Sequence, residues 1–317
     1  MLPKTILFAA SVATVAGFAS TPTTTTTTTT NPCQDAPLRN DLPNLPCENA
    51  KVQSGANVTV GAQGLLAPDL DPIPLPLTDT GACAVNVHWH LGAEHYSQGQ
   101  YDISPTTTGR RLAGSLQAGY KCPTTNDAMY TTEYNWQYCK DMHVGETYEF
   151  HWPHSNLGEC GTDWQFQSHF LDGVLCAATK AGMTVSQAAD AIFTSKTAKI
   201  GVMGQVFTIV NAAGDARYDY PAWNMLHGWN DGLATDVAVY QGSTTGSAAN
   251  NDDQCRGYGG MVTWHQDRNC HKVSAKAVDE LCRVMLTQSD DMSEDVEPHG
   301  ARELVDPRWT TNVIMTR

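Results

Sequence analysis

The sequence predicts a single, mostly β domain: an α+β fold with a central, largely antiparallel twisted sheet and a few peripheral helices. Three observations lead there. Short runs rich in Val, Ile, Phe, Tyr and Trp, bounded by Gly, Asn, Asp or Pro, recur along the chain, while helical periodicity is scarce. Ten cysteines in 317 residues, with no Cys-x-x-Cys pair, favour a disulfide-stapled fold in an oxidising compartment over a zinc ribbon or a redox dithiol. The stretch 46–317 is long enough to bury one large core, and no internal repeat divides it.

In chain order, residues 1–20 are expected to be an export signal. Lys4 precedes an apolar run from Ile6 to Phe18, and the small residues Gly17, Ala19 and Ser20 suit cleavage. That run is too short to span a bilayer. Residues 21–45 form a Thr-rich linker whose unbroken run from Thr23 to Thr30 has nothing to put in a core. Strands are expected at 58–61, 83–91, 147–152, 200–210 and 260–265, and loops between Ser97 and Met129. Asn57-Val58-Thr59 is a glycosylation sequon. Two helices are expected, at 186–193 and 274–286. In the second, Val278, Leu281, Cys282 and Met285 fall at i, i+3, i+4 and i+7, with Ser274 as the cap. The acidic run Asp290, Asp291, Glu294, Asp295 and Glu297 reads as a solvated loop, with a Ca²⁺ site as the alternative. A formal net charge of −14, with no basic cluster beyond Arg110-Arg111, argues against a nucleic-acid partner.

Chemistry concentrates in two of the strands. In Asn86-Val87-His88-Trp89-His90 the period of two puts Asn86, His88 and His90 on one face and Val85, Val87, Trp89 and Leu91 on the other. In Glu149-Phe150-His151-Trp152 it puts Glu149 and His151 together, opposite Tyr148, Phe150 and Trp152. If the two strands pair, three imidazoles converge. Three neutral histidines with an open fourth position make a catalytic zinc site. Glu149 is placed to hold a ligand's ring N–H, with Asn86 and Gln266 as further candidates for that task. A chance His-x-His is unremarkable among eleven histidines; two strand-patterned segments, each with a carboxylate at a useful spacing, are not.

With these residues in hand, the chain resembles an α-like carbonic anhydrase, and most closely the δ-class enzymes of marine algae. The resemblance rests on His88-Trp89-His90, Glu94-His95, Glu149-Phe150-His151-Trp152-Pro153-His154, Gly201-Val202-Met203-Gly204, Tyr240-Gln241-Gly242-Ser243-Thr244-Thr245, Val262-Thr263-Trp264 and Glu303-Leu304-Val305-Asp306 with Arg308. It runs from about Val52 to the end, and the run from Val85 to Ser97 points to the δ-class. The resemblance implies that His88, His90 and His151 hold Zn²⁺, with Co²⁺ or Cd²⁺ as substitutes, and that a zinc-bound hydroxide hydrates CO₂ reversibly to bicarbonate. It implies that Thr244, or Thr245 beside it, accepts a hydrogen bond from that hydroxide and donates its own to Glu94, which orients the hydroxide. It also implies that Val202 and Trp264 line the CO₂ pocket. Pro153 departs from the family, which carries valine there. The family's shuttle histidine has no match in Gly55-Ala56-Asn57-Val58, and none of His95, His154, His227 or His265 is assigned its role. The expected substrate is thus CO₂ or bicarbonate, with inorganic carbon supply in an alga as the setting. Secretion to the cell surface or periplasmic space is expected. A bipartite plastid leader, which Phe18 and the acid-poor Thr-rich stretch resemble, is the alternative.

Two rival readings stay open at this level. His88-x-His90-x-x-x-Glu94 fits the first motif of a cupin-like metal-dependent oxygenase or isomerase, where the glutamate is itself a ligand to Fe or Mn. The second cupin motif is not satisfied around His151. A non-catalytic carbonic-anhydrase-related binding protein is the other, and loss of a ligating histidine would be its mark.

Overall fold

The computed structural model describes residues 72–104, 118–168, 173–177, 181–182, 198–243, 261–288, 295–300 and 314–316. The expected leader, linker, sequon, strand 58–61 and helix 186–193 lie outside them. β1 (Cys83–Ala84), β2 (His88–Leu91), β3 (Thr147–Ser155), β4 (Ile200–Val210), β5 (Val237–Ser243), β6 (Met261–Ser274) and β7 (Ile314–Thr316) make one seven-stranded sheet. Its order is β1-β3-β4-β6-β5-β7, with β2 sharing β3's outer edge with β1. Every pairing is antiparallel except β4 with β6. α1 (Ala128–Thr131), α2 (Ala222–His227) and α3 (Ala275–Met285) are the named helices. The mostly β prediction holds, with one parallel pair in the middle.

β3 and β4 are buried at every position. Their two faces feed two separate apolar clusters. One gathers Trp89, Phe150, Trp152, Met203 and Phe207 beneath α2 and α3. The other gathers Val85, Val202, Val206, Tyr240 and Trp264. Val85 is a correction: parity placed it with Val87 and Trp89, but the chain leaves the sheet at 85–87 between β1 and β2, so the alternation does not carry across.

That same break explains a proline inside a central strand. A residue's N–H and C=O point to the same side of a strand, and the Pro153 carbonyl accepts from Val85 N at 2.9 Å. The missing N–H of Pro153 therefore falls in the gap between β1 and β2, where no ladder bond is lost.

β6 runs nine residues past the expected strand end and turns directly into α3. Its register against β4 shifts between Gln266 and Cys270, so Asp267, Arg268 and Asn269 interrupt the period of two. Ser274 caps α3, its hydroxyl accepting from Ala277 N at 3.0 Å. Disulfides Cys83–Cys160, Cys122–Cys270 and Cys139–Cys282 tie loops to sheet and helix, and Cys176 is disulfide-bonded as well. Such bridges belong to a secreted or extracellular protein. No helix among the described residues is long and apolar enough to cross a membrane.

Candidate metal centre

β2 and β3 pair with His88 opposite His151 and His90 opposite Glu149. Residues directly opposed in an antiparallel pair share a face, so all four side chains converge there. The imidazole centroids form a near-equilateral triangle: 5.2 Å from His88 to His90, 5.2 Å from His88 to His151 and 4.9 Å from His90 to His151. One nitrogen from each lies within 4.8 Å of the other two, and all three rings are buried.

His88 and His90 are each held from behind by one nitrogen. His88 Nδ1 donates to Asn86 Oδ1 at 2.5 Å, and the Asn86 amide donates to the carbonyls of Gln167 and Ser168. His90 Nδ1 donates to the Gly300 carbonyl at 3.0 Å, with Glu94 Oε1 at 3.3 Å. His151 Nε2 has a longer approach, 3.4 Å, to Glu149 Oε2. Left over in the interior are His90 Nε2 and both nitrogens of His151, all buried and without a hydrogen-bond partner. An unsatisfied polar atom of that kind is costly unless something else engages it. Burial, then the neighbouring His151, His88 and His299, hold the His90 imidazole well below its ordinary pKa. Burial lowers His151 too, against the opposing pull of Glu149. Neutral rings are the state in which imidazole binds a metal. Three imidazoles in a triangle, with the tautomers of His88 and His90 fixed by Asn86 and Gly300, fit Zn²⁺ and related borderline cations.

Glu149 is the hub behind the trio. Its Oε1 accepts from His95 Nδ1 at 2.6 Å, and its Oε2 accepts from the backbone N–H of Glu94 at 2.6 Å. Since His95 Nδ1 donates, Nε2 accepts, here from the Tyr240 hydroxyl at 2.5 Å. Burial by itself pushes the Glu149 carboxyl up, but His95 and His151 outweigh it and hold the group well below the usual carboxylate range. His95, Glu149 and His151 also lie within mutual ligand distance. Both His95 nitrogens are already engaged, which makes this second group the support of the first. The turn that delivers Glu94 and His95 depends on Gly92. Its φ is +75°, and a Cβ there would lie 2.6 Å from the Gly119 backbone.

Among the other expected site residues, Val202 is buried and pairs in register with Trp264, whose ring lies 5.0 Å from His151 and 4.8 Å from His95. Gln266 donates to the Tyr101 hydroxyl at 3.3 Å rather than accepting from a histidine of the trio. Thr244 and Thr245 lie outside the described residues. His154 and His265 project from the face opposite the trio, as their register with Gly201 and Met203 requires, and His227 is on α2 over that same face.

Sequence reasoning missed the segment 295–300. His299 N donates to Trp89 O and Leu91 N donates to His299 O, both at 2.8 Å, so this segment lies beside β2 as a parallel bridge. The His299 ring stacks on His88 at 5.1 Å, and its Nε2 is hydrogen-bonded to the Asp295 carboxylate. Asp295, expected in a solvated acidic loop, is 2 % exposed. The i, i+4 spacing of Asp295 and His299 beside Val296 was the available signal.

A family model described as Delta carbonic anhydrase matches residues 79–277. No curated protein and no solved structure matches the chain.

Proposed function

Because the chain belongs to the delta carbonic anhydrase family, we propose that this enzyme hydrates CO₂ reversibly to bicarbonate and a proton on a Zn²⁺ held by His88, His90 and His151. The observation that carries the ligand set is the buried triangle of imidazoles, in which His90 Nε2 and the His151 nitrogens have no hydrogen-bond partner. When bound, Zn²⁺ with three nitrogen ligands and one open position supplies a water acid enough to act as a nucleophile near pH 7.

The chain's own residues would do the rest. His88 and His90 would present Nε2, because Asn86 and Gly300 take the opposite nitrogens, and His151 would present Nδ1, its Nε2 facing Glu149 at 3.4 Å. Thr244, or Thr245 beside it, follows β5 directly in the chain and would donate its hydroxyl hydrogen bond to Glu94, leaving its oxygen to accept from the nucleophile. Val202 and Trp264 offer CO₂ the apolar wall it needs. Glu94 approaches Nδ1 of His90, the nitrogen that Gly300 already holds, which speaks against the ligand role a cupin-like centre would give it.

Co²⁺ or Cd²⁺ would suit the same donor set. Residues 1–20 and 21–45 are proposed as export leader and linker to a catalytic domain at 46–317, serving inorganic carbon supply in an alga at the cell surface, in the periplasmic space or in a plastid compartment. Stopped-flow CO₂ hydration tests the reading: the wild type is expected to be active and His151→Ala to fall to the uncatalysed rate with loss of bound metal. Undiminished activity in that variant would remove the ligand assignment.

A further inference from the structure

A concave site lies across the sheet from the histidine trio. His151 and Pro153 point to one face of β3, Trp152 and His154 to the other, and the Trp152 partner Met203 shares that second face. There a cleft of about 680 Å³ opens. Its floor is Leu77, His154, Met203 and Trp229, all buried, and its rim includes Thr78, Asn224, His227 and Asp231, all exposed. This volume is in the range that holds ring-sized organic ligands.

The polar groups in the cleft have one character. His154 is 3 % exposed, and its Nδ1 donates to the Trp152 carbonyl at 2.9 Å. That bond fixes the proton on Nδ1 and leaves Nε2 as an acceptor with no hydrogen-bond partner among the described residues. Burial, only partly opposed by that same bond, lowers the ring's pKa to about 4, so it is neutral at pH 7. Burial lowers His227 as well. Asp231 is steadied by the Trp229 indole, which donates to it at 2.7 Å, and its loop by Gln205, which accepts from Asn230 N at 2.8 Å. Among the described residues no lysine or arginine lines the cleft, so an anion such as phosphate or bicarbonate has nothing to balance its charge.

Beside the cleft, on the same helix as the lining residues Asn224 and His227, lies a large aromatic surface. Trp223 is 55 % exposed, and its ring packs edge-on against His227 at 3.9 Å, with Phe166 on His227 at 5.2 Å. An exposed indole next to hydrogen-bond acceptors, with no cation among them, suits a ligand with an apolar ring face and hydroxyls around its edge.

We propose that this cleft is a non-catalytic binding site for a neutral pyranose sugar, as a free sugar or as a unit of a glycan. Trp223 offers the stacking platform, Asn224 donates to and accepts from ring hydroxyls, and His154 and Asp231 accept hydroxyl protons. The site is separate from the metal centre, and occupying it leaves the histidine trio untouched.

Saturation-transfer NMR on the full, metal-loaded chain with D-glucose, D-mannose and D-galactose tests this. At least one sugar is expected to receive saturation, and Trp223→Ala or His154→Leu to weaken its binding by about tenfold or more. CO₂ hydration is expected to be unchanged in Trp223→Ala, which is a surface substitution and so reports on binding even if His154→Leu fails to fold. A loss of binding in either folded variant supports the proposal. It is overturned if none of the three sugars receives saturation, or if binding survives unchanged in every variant that folds.

Discussion

Glu149 shows how one side chain organises a candidate metal centre from behind. Its two oxygens face His95, His151 and the Glu94 N–H, so a single carboxylate sets the orientation of a proposed ligand ring and of the turn that carries Glu94. Glu149→Gln keeps the shape but replaces one acceptor oxygen with an N–H donor, which cannot serve both histidines. Metal affinity is expected to fall about 10–100-fold, read by competition with a chelator. Unchanged affinity would mean that Glu149 merely fills space. At this scale the sequence was informative where the geometry is local. His88 and His90 share a face because strand alternation is a property of adjacent residues, and Glu149 with His151 obeys the same rule. The partner of His90 could not be read that way. It is the carbonyl of Gly300, 210 residues away, and a backbone oxygen leaves no side-chain signature. His299 was hidden for a related reason: its acidic neighbours looked solvated until Asp295 was seen buried against it.

At the scale of elements, the junction of β6 with α3 is held by polar groups as much as by apolar ones. Asp279 lies on α3 and is 3 % exposed. Its carboxylate accepts from the backbone N–H groups of Gln137, Tyr138 and Cys139 at 3.0, 2.8 and 3.0 Å. This pins the 137–139 loop against the helix, beside the Cys139–Cys282 bridge. Asp279→Ala strands those donors, and a loss of about 3 kcal/mol in unfolding free energy is expected from urea titration. A change within about 0.5 kcal/mol would show that water replaces the carboxylate freely. The helix itself was readable, with its cap, because Val278, Leu281, Cys282 and Met285 repeat at the helical period. The outer half of β6 was not, since Asp267, Arg268 and Asn269 break the alternation at the bulge. β5 was seen only as a motif around Tyr240; its role as the strand joining β6 to β7 depends on pairings far apart in the chain.

Across the whole molecule, the sheet separates two environments, and each carries a buried histidine set. On the face away from the trio, His154 has its folded pKa pulled down to about 4 by burial, from an unfolded value near 6.5. The unfolded chain therefore takes up that proton first as pH falls. The contribution of His154 to stability is complete above about pH 6.5, declines as pH drops through the interval, and is gone below about pH 4, a loss of about 3 kcal/mol. His227 shifts in the same direction and adds to the decline. Urea unfolding of His154→Leu at several pH values between 7 and 4 is expected to show a shallower acid slope than the wild type. Equal slopes would mean that the ring gains a proton in place without cost. The remaining claim concerns the other face, where β2 and β3 bring His88, His90 and His151 into one triangle. Zinc-edge X-ray absorption on the purified, metal-loaded chain and on His151→Ala reads that triangle directly. The account predicts three imidazole nitrogens at about 2.0–2.1 Å with one further light ligand in the wild type, and two imidazoles in the variant. A carboxylate-ligated metal in the wild type, or three imidazoles in His151→Ala, would contradict it.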